Sequence, residues 1–134
     1  MQNEEVKTEK KMPLRKMTFQ IAQNSYDVEF PNTGGLIEIE VLKAQLSRNQ
    51  YSSLSQSGST GLYNKFIIDM IATFTVLFPT LKKDLNVKTI SELHPLETKK
   101  LLKVYLNNVL VWMNEWEEIL NSDDEETVED KKEE

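Results

Sequence analysis

His94 is the single histidine in 134 residues, and no cysteine accompanies it. Imidazole is the side chain best suited to moving a proton near neutral pH, but a general base also needs an orienting partner and a substrate pocket. No paired motif surrounds His94. It stands before Pro95 at an expected helix start, which fits a structural or solvated histidine. Without cysteine there are no disulfides, no thiolate metal sites and no thiol nucleophile. A metal would have to be held by carboxylates, and no Asp-x-Asp-x-Asp-Gly loop is present. Gly34-Gly35 is not followed by the Gly-Lys-Ser/Thr of a phosphate loop. Gly58-Ser59-Thr60-Gly61 opens a helix, where backbone N–H groups can meet an anion; an ordinary helix-start loop is the favoured reading. No serine lies in a Gly-x-Ser-x-Gly elbow. The expectation is therefore no catalytic residue, no metal, no cofactor and no enzyme.

Contact chemistry is better represented. Trp112 and Trp116 are one helical turn apart and share a face, with Met113 beside them. They either close the core or dock a partner, since Trp and Met are enriched at the centres of interfaces. Phe19, Tyr26 and Phe30 form a second apolar face that must rest on helices or on another subunit. Phe19, Tyr26, Phe30, Trp112, Met113 and Trp116 are the candidate partner-binding residues.

The elements that would position them follow from periodicity. Residues 18–21 and 26–30 alternate polar and apolar around Ala22-Gln23-Asn24-Ser25, which predicts a β-hairpin. Pro31 to Gly35 breaks the chain. Leu36–Leu46 is ambiguous. Ile37, Ile39 and Val41 alternate as in a strand, whereas Ile39, Leu42 and Leu46 keep helical spacing and Lys43-Ala44-Gln45 favours helix. A helix is preferred, with Asn32 or Thr33 as its cap. Residues 47–61, with six serines and two glycines, read as a flexible loop that is either functional or a plain connector.

Residues 62–78 are apolar all round and predict a central helix. Their longest apolar run, Phe66 to Phe78, has thirteen residues including Asp69. A bilayer needs about twenty, so no membrane span is expected. Pro79 ends this helix, and short turns follow near 81–85 and 89–93. The last helix is expected over 96–121, with the stripe Leu102, Tyr105 or Leu106, Val109, Met113, Trp116 and Leu120. Lysines early and glutamates late oppose its dipole, so packing must hold it.

Charge divides the chain. Residues 121–134 hold eight acids and two lysines, which equals the net charge of −6 of the whole chain. Residues 1–16 carry five bases and three acids without periodicity, and there is no apolar run of the signal-peptide kind. This predicts a flexible charged leader at 1–16, a single domain at 17–120, and a disordered acidic tail at 121–134. The domain should be mostly α, a small helical domain with an N-terminal β-hairpin (α+β). A neutral body and an acidic tail disfavour nucleic acid as the main partner.

The strand pair TFQI and YDVEF, then LIEIEVLKAQLS, the apolar IDMIATFTVLFPTLKKDL, the aromatic WMNEWEEIL and the acidic end resemble in layout the small phage tail-assembly chaperones and neighbouring virion-morphogenesis proteins. The resemblance spans most of residues 17–134. It implies a non-enzymatic assembly protein that covers apolar surface of a partner such as a tail-tube or tape-measure protein. The alternative is a structural virion subunit of neck, tail or capsid, whose loop and termini order against neighbours. It further implies other phage or assembly proteins as partners, homo-oligomers among them. The place of action would be the host cytoplasm during assembly, or the virion.

Overall fold

The computed structural model describes residues 12–122. The disordered leader and acidic tail read from the sequence fall mainly on residues 1–11 and 123–134, outside the described residues.

The chain enters through an antiparallel hairpin, β1 (Lys16–Ile21) and β2 (Asn24–Glu29), with Phe19 opposite Tyr26 and Met17 opposite Val28. The turn is Ala22-Gln23 alone, both at positive φ (52° and 73°). Two residues of that kind match the right-handed twist of the strands, so Asn24 and Ser25 pair in β2 instead of joining a four-residue turn. Thr18 donates to Asp27 (2.7 Å) and Gln20 to Ser25 (2.7 Å) across the solvent face. Phe19, Ile21, Tyr26 and Val28 fill the opposite face and are buried.

Asn32 caps α1 (Thr33–Ser47), its side-chain oxygen accepting from the Gly35 N–H at 2.8 Å. The helix preference for this stretch is correct. Ile39 is buried while Ile37 and Val41 are exposed, so the alternation that mimicked a strand is split between two helix faces.

The expected flexible loop at 47–61 is largely ordered. Tyr51–Ser57 forms a 3₁₀ segment that runs directly into α2 (Gly58–Leu77). Its anchors are Tyr51 and Leu54, three residues apart and half-buried, which a 3₁₀ helix places on one side. Gly61 is required here, because a Cβ on it would lie 2.1 Å from the Leu54 carbonyl oxygen. That close approach accounts for the glycine without an anion.

α2 is the centre of the molecule. Met70, Ala72, Thr73, Phe74 and Leu77 are buried in it. α1 packs antiparallel to it, with Gly35 near Val76 at one end and Lys43 paired with Asp69 at the other. α2 ends at Leu77, before Pro79. A short α3 (Leu81–Asp84) and a 3₁₀ turn (Ile90–Glu92) follow, burying Leu81 and Ile90. The Tyr26 hydroxyl donates to Asp84 at 2.6 Å and ties the hairpin to α3.

The last helix is continuous but not uniform. α4 (Pro95–Val104) starts with Pro95 in its first turn and with His94 as cap, whose Nδ1 accepts from the Leu96 N–H at 3.0 Å. A π-helical turn, Tyr105–Val109, leads into α5 (Leu110–Leu120). The buried stripe is Leu101, Leu102, Tyr105, Val109, Trp112 and Trp116. Trp112 takes the place expected of Met113, and Leu120 is exposed.

One core joins these elements. Phe78 is edge-on to Phe19 (6.1 Å) and Phe74 (5.3 Å) and lies 5.6 Å from Tyr26, so it links the hairpin to α2. Fully burying each such side chain contributes about 2–3 kcal/mol. The domain is mostly α with a small hairpin.

Candidate functional site

The six candidate partner-binding residues come together, but inside the protein. Phe19, Tyr26, Trp112 and Trp116 are buried, with Trp112 only 2 % exposed. Phe30 lies 5.6 Å from the ring of Trp112 and 5.0 Å from Trp116, and Phe19 lies 5.6 Å from Trp112. Phe30 and Met113 are half-buried against this cluster. The two indoles are spent as well. Trp112 Nε1 (2.7 Å) and Trp116 Nε1 (3.1 Å) both donate to the Leu14 carbonyl oxygen. An sp² oxygen has two lone pairs, so one carbonyl satisfies both donors. The Phe30 N–H donates to the Arg15 carbonyl at 2.7 Å. The folded body therefore starts at Leu14 and not at Met17. These aromatic residues close the core and fasten the incoming chain, and they do not form an open docking face.

Two surface features carry chemistry instead. The first is a polar cleft of about 410 Å³ between α1, α2 and α5. Lys43 Nζ sits 3.3 Å from Asp69 and 3.1 Å from Glu40. The Tyr51 hydroxyl donates to Asp69 in a short hydrogen bond. The ammoniums of Lys43 (5.1 Å) and Lys65 (4.8 Å) both lie within cation–π range of the Tyr51 ring centroid. Tyr105, at the start of the π-helical turn, lines the same cleft together with Thr73 and Asp69.

Burial, then the bond to Asp69, holds the Tyr51 phenol far above its ordinary range. Burial, then the Asp69 charge, does the same to Tyr105. Burial works against the Lys43 ammonium, but Asp69 and Glu40 together outweigh it and raise its pKa. These shifts lock the phenols neutral and the amine charged. A proton-transfer group needs the reverse, a pKa moved toward neutrality. Among the described residues no group of three or more potential ligands is placed to hold a metal ion.

The second feature is an apolar groove of about 280 Å³ on the other flank of α1. Leu42, Leu46, Ile71, Phe78, Pro79 and Ile90 line it. Leu46 remains 39 % exposed at its edge. Lys82 and Lys88, both exposed, form the rim. Residues 42, 45 and 46 face this groove, whereas 36, 39, 40 and 43 face the polar cleft. At 100° per residue these are different sides of one helix.

Sequence reasoning passed over this groove and the Lys43–Tyr51–Asp69–Tyr105 cluster. One signal was present: Asp69 sits within an otherwise apolar run, and a carboxylate there needs a partner. The groove had none, because its walls come from α1, α2 and the turn at 88–91. No described helix is long and apolar enough to cross a membrane. Comparison with known protein families, curated proteins and solved structures found no match.

Proposed function

We propose that this protein works by binding another protein, without catalysis, and that the lysine-rimmed groove is the docking site. The groove is the observation that carries this reading. Its apolar floor rewards burial of one or two side chains, and its cationic rim selects an acidic neighbour for them. The polar cluster supports the same reading, since its phenols and amine are held away from neutral pH and in mutual contact.

The layout that resembles phage tail-assembly chaperones makes virion assembly the setting. The chain would then shield apolar surface of a phage protein in the host cytoplasm until assembly. A structural subunit that stays in the virion is the rival, and the two separate on one observation. Purified virions retain a subunit and lose a chaperone.

The docking reading is tested by placing a photo-reactive residue at Leu46 in the producing cell and irradiating. The same probe at Gln20, on the solvent face of the hairpin and outside the groove lining, is the control. A defined protein adduct at Leu46, abolished by Lys82→Glu with Lys88→Glu, is the expected result. Equal labelling at both positions, or none, removes the groove as a docking site.

A further inference from the structure

The long helix ends in the chemical complement of the groove. Glu115, Glu117 and Glu118 are exposed, Leu120 is 56 % exposed, and the sequence continues Asn-Ser-Asp-Asp-Glu-Glu. An exposed leucine followed by a run of acids is what an apolar groove with a lysine rim accepts. We infer that the groove's occupant is the carboxyl-terminal end of a second copy of this chain. Leu120 enters beside Leu42, Leu46 and Ile90 of the neighbour, and the acidic run that follows it in the sequence is the charge complement of Lys82 and Lys88. This rests on the docking reading above and names its partner.

Charge separation along the chain gives the contact its direction. Residues 81–104 carry six lysines against three acids, whereas residues 110–134 carry eleven acids against two lysines. Opposite ends attract and like ends repel, so copies meet head to tail. The chain's own end is the wrong donor for its own groove. Leu120 and Asn121 line the polar cleft, on the opposite flank of α1. The groove's 280 Å³ is slightly below the roughly 300–1,000 Å³ of small-molecule sites, which suits a side chain or two.

A head-to-tail contact joins two different surfaces, so each pair keeps one free groove and one free end. Such contacts propagate into rings or open chains. One groove and one helix end make a smaller contact than the roughly 800 Å² per partner of a stable interface. The association is therefore weak, and salt weakens it further, since screening reaches about 8 Å at physiological ionic strength.

Sedimentation over a wide concentration range, at low and high salt, tests this with three proteins. They are the full chain, the groove variant Lys82→Glu/Lys88→Glu, and an end variant that stops at Ser122 and carries Leu120→Gln. All changes are at exposed positions, and circular dichroism checks the fold. The full chain is expected to associate, less so in high salt. Each variant alone should associate about tenfold more weakly, as loss of two exposed pairs implies. Mixed together they should form a one-to-one pair and stop, because only one intact groove and one intact end remain.

The inference is overturned if the full chain is monomeric throughout, if association survives both variants, or if the mixture forms no pair. Binding of a peptide of residues 115–134 to the end variant, with a monomeric full chain, would give the groove to the chain's own end. A Leu46 adduct with a different protein, again with a monomeric full chain, overturns self-association and leaves the docking reading standing. No adduct and no association removes both.

Discussion

Asp69 shows at the residue scale how one charge organises its surroundings. It accepts from Tyr51, pairs with Lys43 and lies close enough to Tyr105 to raise its pKa. Its side chain is mostly buried and so is that of Lys43, so neither is well served by water. Asp69→Ala removes two charge-assisted contacts and leaves the Lys43 ammonium facing only Glu40. The expected cost is about 2–3 kcal/mol, read by chemical denaturation. A change below a few tenths would show that solvent already compensates the pair.

The same cluster sets the alkaline limit of stability. In the unfolded chain tyrosine titrates near pH 10, and in the folded protein Tyr51 and Tyr105 hold their protons well above that. A raised folded pKa means stability that is fully present below about pH 10 and declines as pH rises beyond it. Lys43, also raised, acts in the same direction. Stability should therefore fall above about pH 10, with phenolate absorbance from Tyr51 and Tyr105 appearing only as the protein unfolds. Tyr51→Phe should shallow that decline. Ionisation of both phenols in the native protein near pH 10 would show that burial does not hold their protons.

At the element scale the hairpin turn is a place where local preference was overruled. Ala22 and Gln23 both adopt positive φ, which costs a residue with a Cβ roughly 1–2 kcal/mol. The strands accept this because Phe19, Ile21, Tyr26 and Val28 must all reach the core in one register. Replacing Ala22-Gln23 with Asn-Gly, the pair suited to that turn, should stabilise the protein by about 1 kcal/mol or more, seen as a rise in Tm. An unchanged or lower Tm would mean that the turn is not of this type.

The 3₁₀ segment teaches a related lesson. Serines made residues 47–61 look like a loop, yet Tyr51 and Leu54 anchor it and Gly61 admits its backbone. Composition averaged away the two residues that mattered. In α1 the opposite happened. Alternation and helical spacing competed, and the Asn32 cap together with packing on α2 resolved the contest toward helix.

At the scale of the whole molecule, the hairpin and the long helix share one core. Phe78 touches both strands and α2, while Trp112 and Trp116 hold the carbonyl that precedes β1. Neither the hairpin nor the helices can leave without opening that core. Unfolding should therefore be two-state, with tryptophan fluorescence and far-ultraviolet circular dichroism giving the same midpoint. Separate midpoints would show that the hairpin is an independent unit.

The sequence by itself determined the hairpin, the central helix and the last helix, because periodicity and punctuation by Pro31, Pro79 and Pro95 act over a few residues; the order of Tyr51–Ser57 and the helical state of residues 33–47 needed the packing around them. It also determined that the charge gathers at the carboxyl-terminal end. Tertiary structure alone decided which apolar residues remain outside. Trp112 and Trp116 looked like a docking face on their own helix, but Phe19 and Phe30 pack on their rings and the Leu14 carbonyl, ninety-eight residues before Trp112, takes both indole N–H groups. Leu42 and Leu46 keep helical spacing in the sequence, but only the packing of α1 on α2 and the turn at 88–91 leaves them lining an open groove, with Leu46 still 39 % exposed. A single helix fixes the direction of a side chain, and what meets that side chain depends on elements brought together from elsewhere in the chain.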